Sequence, residues 1–233
     1  MRRSRAAGGT PAPVEQRVAA VLAALEAEAD AGVLADMGPR YGIHTEPAYG
    51  VRMATVNAVA KAWAPDHELA LALWATGWYE ARLVAAMVDD PAAVTVDQME
   101  AWCADFDNWA IVDTVCFRLF DRTEHAWDEV DAWVVRDEEM VKRAGFALLW
   151  SLANHDRRAD DDRFRHGLAL VEAAGGDGRH LVDKAVGMAL RAIGKRRPTL
   201  RDEAVAVAQR LAASDDPATR RIGRPAVREL RGA

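Results

Sequence analysis

Trp109 and Asp113 lie four residues apart in "NWAIVDTVCF" (108–117), a separation that places two side chains on the same face of a helix. An indole beside a carboxylate makes a small site for positive charge: the ring quadrupole attracts a cation and the acid adds Coulomb attraction. Asp113 is conspicuous because nearly everything from Trp109 to Phe117 is apolar, and a carboxylate in such a run is costly unless something pairs with it. Two readings stay open: the partner of a buried arginine, or an acid held ready for a cationic ligand. Asp105 and Asp107 precede the helix and read as caps, where negative charge suits the free N–H groups of a helix start.

The elements that must position this pair are helices. Strand signals are nearly absent, and apolar residues recur at three- and four-residue spacing in stretches rich in Ala, Leu, Arg and Glu. Helices are expected at about 13–30, 50–63, 66–76, 78–88, 95–105, 108–121, 123–134, 137–153, 160–173, 178–194, 199–213 and 217–231. The longest break is "MGPRYGIHTEPAYG" (37–50), punctuated by glycine and proline. The segments "VKRAGFALLWSL", "VDKAVGMALRAI" and "TRRIGRPAVREL" overlay, with Arg143, Lys184 and Arg221 at 41- and 37-residue separations. That period fits helical hairpins of the HEAT type, about 40–47 residues each. The expected fold class is therefore all-α: a right-handed stack of helical hairpins with a concave groove. In such a stack equivalent positions align, so Arg143, Lys184 and Arg221 can form a basic row; alternatively each neutralises its own helix. Pro225 is expected to kink or restart the last helix.

Composition sets the limits. Residues 1–141 carry 11 Lys and Arg against 24 Asp and Glu, whereas residues 142–233 carry 19 against 12. Two readings of this split stay open: only part of the surface meets an anion, or the chain simply has two solvated faces of opposite sign. No apolar run is long enough to span a bilayer, and "MRRSRAAGGTPAP" lacks the apolar core of a secretory signal. Residues 1–12 are read as a flexible tail and 13–233 as a single repeat domain. Cys103 and Cys116 fall within helical pattern and read as buried thiols of a reducing compartment, with a cytoplasmic location expected. The six histidines form no i, i+4 pair, so no metal or other cofactor is expected. Trp74, Trp78, Tyr79, Trp127, Trp133 and Trp150 read as packing between repeats.

The stretch 66–231 resembles the AlkD-type DNA alkylation repair family, the HEAT-like repeat DNA glycosylases. The resemblance rests on "MEAWCADFDNWAIVDTVCFRLF", "VKRAGFALLWSLANHD", "KAVGMALRAIGKR" and "AVREL", in that order, and "FDNWAIVD" is its most specific part. It implies binding of duplex DNA in a basic groove, with Trp109 and Asp113 set against the sugar of the damaged nucleotide and Arg143 near its backbone. Lys184, Arg191, Lys195 and Arg221 are the further candidates for DNA phosphates. Where the family commonly has a second tryptophan, this chain has Met188, which can pack against a sugar but offers no π face to a cation.

The implied activity is hydrolysis of the N-glycosidic bond of alkylated purines such as 3-methyladenine and 7-methylguanine. A ring-alkylated purine is cationic and leaves without an acid to protonate it, so the protein need only stabilise the positive sugar and orient water. Expected partners are duplex DNA containing such lesions, with no membrane and a monomeric state. Two other readings share the fold: a DNA-binding repeat protein without catalysis, and a protein–protein scaffold.

Overall fold

The computed structural model describes residues 12–232, so the expected N-terminal tail lies outside the described residues but for Ala12. Among the described residues there are thirteen α-helices, one short 3-10 turn and no strand. Chain packing divides the described residues into two compact units, 12–35 with 46–89 and 36–45 with 90–232.

The first unit contains α1 (Val14–Glu26), the start of α2 (Ala31–Tyr41), α3 (Met53–Trp63), α4 (His67–Ala75) and α5 (Tyr79–Val88). Its core is aliphatic, with Val21, Leu25, Val56, Leu69, Leu73, Leu83 and Val84 all buried. Glu80 is buried too, and its carboxylate accepts backbone N–H groups of Tyr49, Gly50 and Val51 at 2.8–3.0 Å. Those bonds supply what an isolated buried acid lacks. Gly50 adopts φ 77°, and a Cβ there would stand 2.5 Å from the Asp30 carbonyl; only glycine fits.

α2 corrects the sequence reading, which has a loop from 37 and a first helix running to about 30. The first helix stops at Glu26, and Asp30 instead starts a new one, its side chain accepting from Gly32 and Val33 N–H. Met37 is the one buried side chain of α2. With so little apolar periodicity, Gly38 and Pro39 dominate the pattern and the segment reads as loop.

The second unit carries α6 (Val96–Ala104), α7 (Trp109–Arg118), a 3-10 turn (Phe120–Arg122), α8 (Ala126–Trp133), α9 (Glu139–His155), α10 (Asp161–Ala173), α11 (His180–Arg196), α12 (Pro198–Ala213) and α13 (Pro217–Arg231). The helices α7, α9, α11 and α13 pack in succession, each on the next, and α8, α10 and α12 lie against them. Ile111, Phe120, Trp133, Phe146, Leu149, Val186 and Ile193 are fully buried between these layers, each contributing roughly 1.5–3 kcal/mol by removal from water. This is the expected all-α hairpin repeat.

Helix starts follow local chemistry. Asn108, Asp160 and Asp216 accept N–H groups of the first turns of α7, α10 and α13. The cap of α7 is thus Asn108 and not Asp105 or Asp107; Asp107 instead accepts the Thr45 hydroxyl at 2.7 Å and the Asn108 amide. Pro225 lies inside α13 without restarting it, since one missing N–H is tolerated where the rest of the turn is packed.

α12 and α13 approach closely at Gly223. A Cβ on Gly223 would stand 2.3 Å from Ala212 N and 2.7 Å from Ala208 O, backbone atoms that cannot swing aside. Gly223→Ala should therefore destabilise the protein by about 1–3 kcal/mol in denaturant unfolding, although in an ordinary helix the same change stabilises by up to ~1 kcal/mol.

Candidate nucleic-acid interface

The cleft that contains Trp109 and Asp113 is built from four consecutive inner helices of the second unit. It has a volume of about 610 Å³. Trp109 and Asp113 come from α7, Arg143 from α9, Lys184, Met188 and Arg191 from α11, and Arg221 from α13. Arg143, Lys184 and Arg221 line the same cleft with Met188 among them, but Arg143 is sealed against Asp113 and does not join Lys184 and Arg221 in facing the open cleft.

The Asp113 carboxylate is clamped by Arg143. Nε and Nη2 donate to Oδ1 at 3.1 and 2.9 Å, and Nη2 also donates to Oδ2 at 2.7 Å. Nη1 donates to the Leu181 carbonyl at 2.6 Å, so one guanidinium fastens α7, α9 and the start of α11. The arginine side chain is 2% exposed and the aspartate 17%: the cation is sealed while the acid still opens on the cleft. A carboxylate offers about four acceptor directions; the arginine takes two on Oδ1 and one on Oδ2, and leaves Oδ2 one for water or ligand. Burial raises the Asp113 carboxyl above the usual aspartate range, opposed by the charges of Arg143 and Lys184.

Trp109 is half-buried. Its Nε1–H donates to the Tyr41 carbonyl at 2.9 Å, which fixes the ring plane, and the Arg143 Cζ lies 6.0 Å from the ring centroid. The "MGPRYG" break thus serves the site by offering a backbone acceptor.

The other cations are partly engaged. Arg221 reaches Asp183 at 3.3 Å and Arg191 reaches Glu229 at 3.1 Å. Lys184 is exposed and makes no salt bridge among the described residues. Arg143 and Arg221 therefore repeat one device, an arginine on an inner helix holding an acid on the preceding inner helix. This differs from neutralising their own helices. It also makes Arg143 the counterion of Asp113 within the wall of the cleft. Lys195 is the exception: it pairs with Glu229 and lines a separate cleft toward the end of α11.

Sequence reasoning missed His180, Asp183 and Pro225, which also line the main cleft. Asp183 had a signal, an acid directly before the aligned Lys184, but it reads equally as first-turn charge. The start of α11 is held by Asp177, which pairs with Lys142 of α9 at 3.1 Å and with Arg179 at 2.7 Å; Arg179 foremost keeps the Asp177 carboxyl well below its usual range. Cys103 and Cys116 are free buried thiols, and burial raises both. Trp133 is sealed, whereas Trp150 is half-buried and stacked on Phe117 at 4.7 Å. Among the described residues no group of three His, Cys, Asp or Glu side chains is arranged to hold a metal, and no helix is long and apolar enough to cross a membrane.

An indole and an arginine-held carboxylate thus share a cleft with further cations between stacked helical hairpins. Residues 21–229 match the family described as DNA alkylation repair enzyme, and the chain belongs to that family. No curated protein matches it. A solved structure from "a new family of proteins related to the HEAT-like repeat DNA glycosylases with affinity for branched DNA structures" superposes with TM-score 0.75. That match covers 91% of this chain and 94% of that one at 23% identity, a likeness of fold.

The Arg143–Asp113 pair yields a stability test. Arg143→Met strands a buried acid and should cost about 3–5 kcal/mol, whereas Arg143→Met with Asp113→Leu should recover most of it. Urea unfolding of the two single variants and the double variant measures this; equal losses in Arg143→Met and the double variant would show that the packing of the arginine, and not its charge, is what matters.

Proposed function

We propose that this protein binds duplex DNA along the α7–α13 cleft and hydrolyses the glycosidic bond of cationic, ring-alkylated purines such as 3-methyladenine and 7-methylguanine. The observation that carries the reading is the state of Asp113: pinned by a sealed guanidinium, yet open to the cleft beside a fixed indole. Such an acid is preorganised, so it meets developing positive charge on the sugar without reorienting. Its free Oδ2 direction suits an attacking water. The leaving base needs no proton because the bond electrons it takes neutralise its own positive charge, and the charge passes to the sugar.

The charge of the cleft supports the same ligand. Arg143 is spent on Asp113, but Lys184 is exposed, and Arg191 and Arg221 line the same cleft in partly open ion pairs, cations that suit phosphates. The lining presents no set of amides matched to base edges, so recognition through backbone and sugar fits better than readout of sequence. Met188 takes the place beside the sugar with an adaptable apolar side chain.

A second reading, DNA binding without hydrolysis, is favoured by two observations. Arg143 offsets the charge of Asp113, and position 188 lacks an aromatic face. The solved structure of similar fold is described by its affinity for branched DNA. Both readings use the same cleft, and chemistry separates them.

Wild type should release free methylated base from alkylated duplex DNA, scored by chromatography, and Asp113→Asn should reduce the rate by about 100–1,000-fold while DNA affinity is retained. Binding with no release by the wild type selects the second reading. The pH profile provides a further check. Only ionised Asp113 stabilises the sugar cation, and its pKa lies above the ordinary value. Release should therefore be flat at neutral pH and fall on acidification, with a midpoint above the ordinary aspartate value of about 3.9; a midpoint at or below that value contradicts Asp113 as the titrating group.

A further inference from the structure

A second basic cleft, of about 380 Å³, opens toward the far ends of α9 and α11 and is lined by Asn154, Arg157, Lys195, Arg196 and Arg197. Ala153 and Ala192 complete the lining, so four of its seven residues are cationic and none is acidic. Arg157 pairs with no acidic group among the described residues and is exposed. Lys195 with Glu229 and Arg197 with Asp161 form pairs at least partly open to solvent, the kind worth little and readily exchanged for another anion.

Arg196 explains how so many cations are held together here. It donates to the Ala153, Asp156 and Ala159 carbonyls at and beyond the end of α9 and lies over the Phe164 ring at 4.2 Å. It thereby covers the carbonyl-rich end of α9, which would otherwise repel an anion. Burial, and then the neighbouring Arg197, push its pKa below the usual arginine value against the opposing pull of Asp156 and Asp161.

The distance to the first cleft is what gives this one a meaning. Met188, beside the sugar site, and Arg196 are eight residues apart on α11, about 12 Å along the axis at ~1.5 Å per residue. The major groove that separates two DNA backbones is about 12 Å wide. We propose that this second cleft is a phosphodiester site for another DNA strand, engaged while the first strand lies at Asp113. The inference rests on the DNA-binding reading above and adds to it a second point of attachment, with a preference for substrates that present two backbones.

The test is a salt titration of binding to three oligonucleotide probes, a single strand, a linear duplex and a three-way junction, using wild type and the double variant Arg157→Gln/Arg197→Gln. Each phosphate contact removed lowers the slope of log K against log salt by about 0.9 on duplex DNA. The double variant should lose roughly two such contacts and bind duplex or junction several-fold more weakly at low salt, with the single strand little changed. Loss on both duplex and junction identifies the complementary strand as the ligand; loss on the junction alone identifies a second arm; either supports the proposal. Equal loss on the single strand, or slopes unchanged on every probe, overturns it. Arg157→Lys/Arg197→Lys should restore wild-type slopes, and failure to do so with retained thermal stability also counts against a phosphate site. If the wild type shows no salt-dependent binding to any probe, the DNA-binding reading itself fails, an outcome distinct from failure of the double variant alone.

Discussion

The site depends on one ion pair. Arg143 is a sealed cation whose hydrogen bonds run to a carboxylate on α7 and a carbonyl at the start of α11. A buried guanidinium is expensive unless each of its groups is used, and here its planar fork matches the carboxylate edge on one side and a backbone acceptor on the other. The same bonds determine where Asp113 points and how α7, α9 and α11 are registered against each other. The orientation of Asp113 and the packing of the repeats are in this respect one problem with one solution.

The device recurs. Arg221 on α13 holds Asp183 on α11 much as Arg143 holds Asp113, with the difference that Arg221 is largely exposed. In the buried copy three bonds pin the acid, whereas in the exposed copy a single contact at 3.3 Å leaves the arginine available at the rim. The two arginines of the repeat thus diverge in burial and in how fully each is engaged.

Much of this was legible in the chain. Apolar periodicity located twelve of the thirteen helices, because those helices bury a regular stripe; α2 buries only Met37 and carries Gly38 and Pro39, so its pattern is that of a loop. The Trp109–Asp113 pair was visible because an acid in an apolar run has few innocent explanations. Its partner was not, since Arg143 lies thirty residues away and any of several arginines satisfies the same pattern. The two readings of Asp113, buried ion pair or poised acid, turn out to be compatible: the arginine holds the acid without closing the cleft over it. Lys195 shows the opposite limit. Helical spacing groups it with Lys184 and Arg191, yet the length of α11 carries it into a different cleft, and spacing along one helix carries no information about where a neighbouring helix ends.

The half-open pairs of the main cleft bear on how tightly any polyanion is held. A phosphate arriving at Arg191 or Arg221 finds each already facing a carboxylate, Glu229 or Asp183, so contact is a change of partner and the gain is a difference between two attractions. Such exchange keeps each residence brief and lets a bound chain be passed from one cation to the next. On the DNA-binding reading proposed above, such exchange would let the protein shuffle along a long polymer and linger only where the cleft holds something more than phosphate.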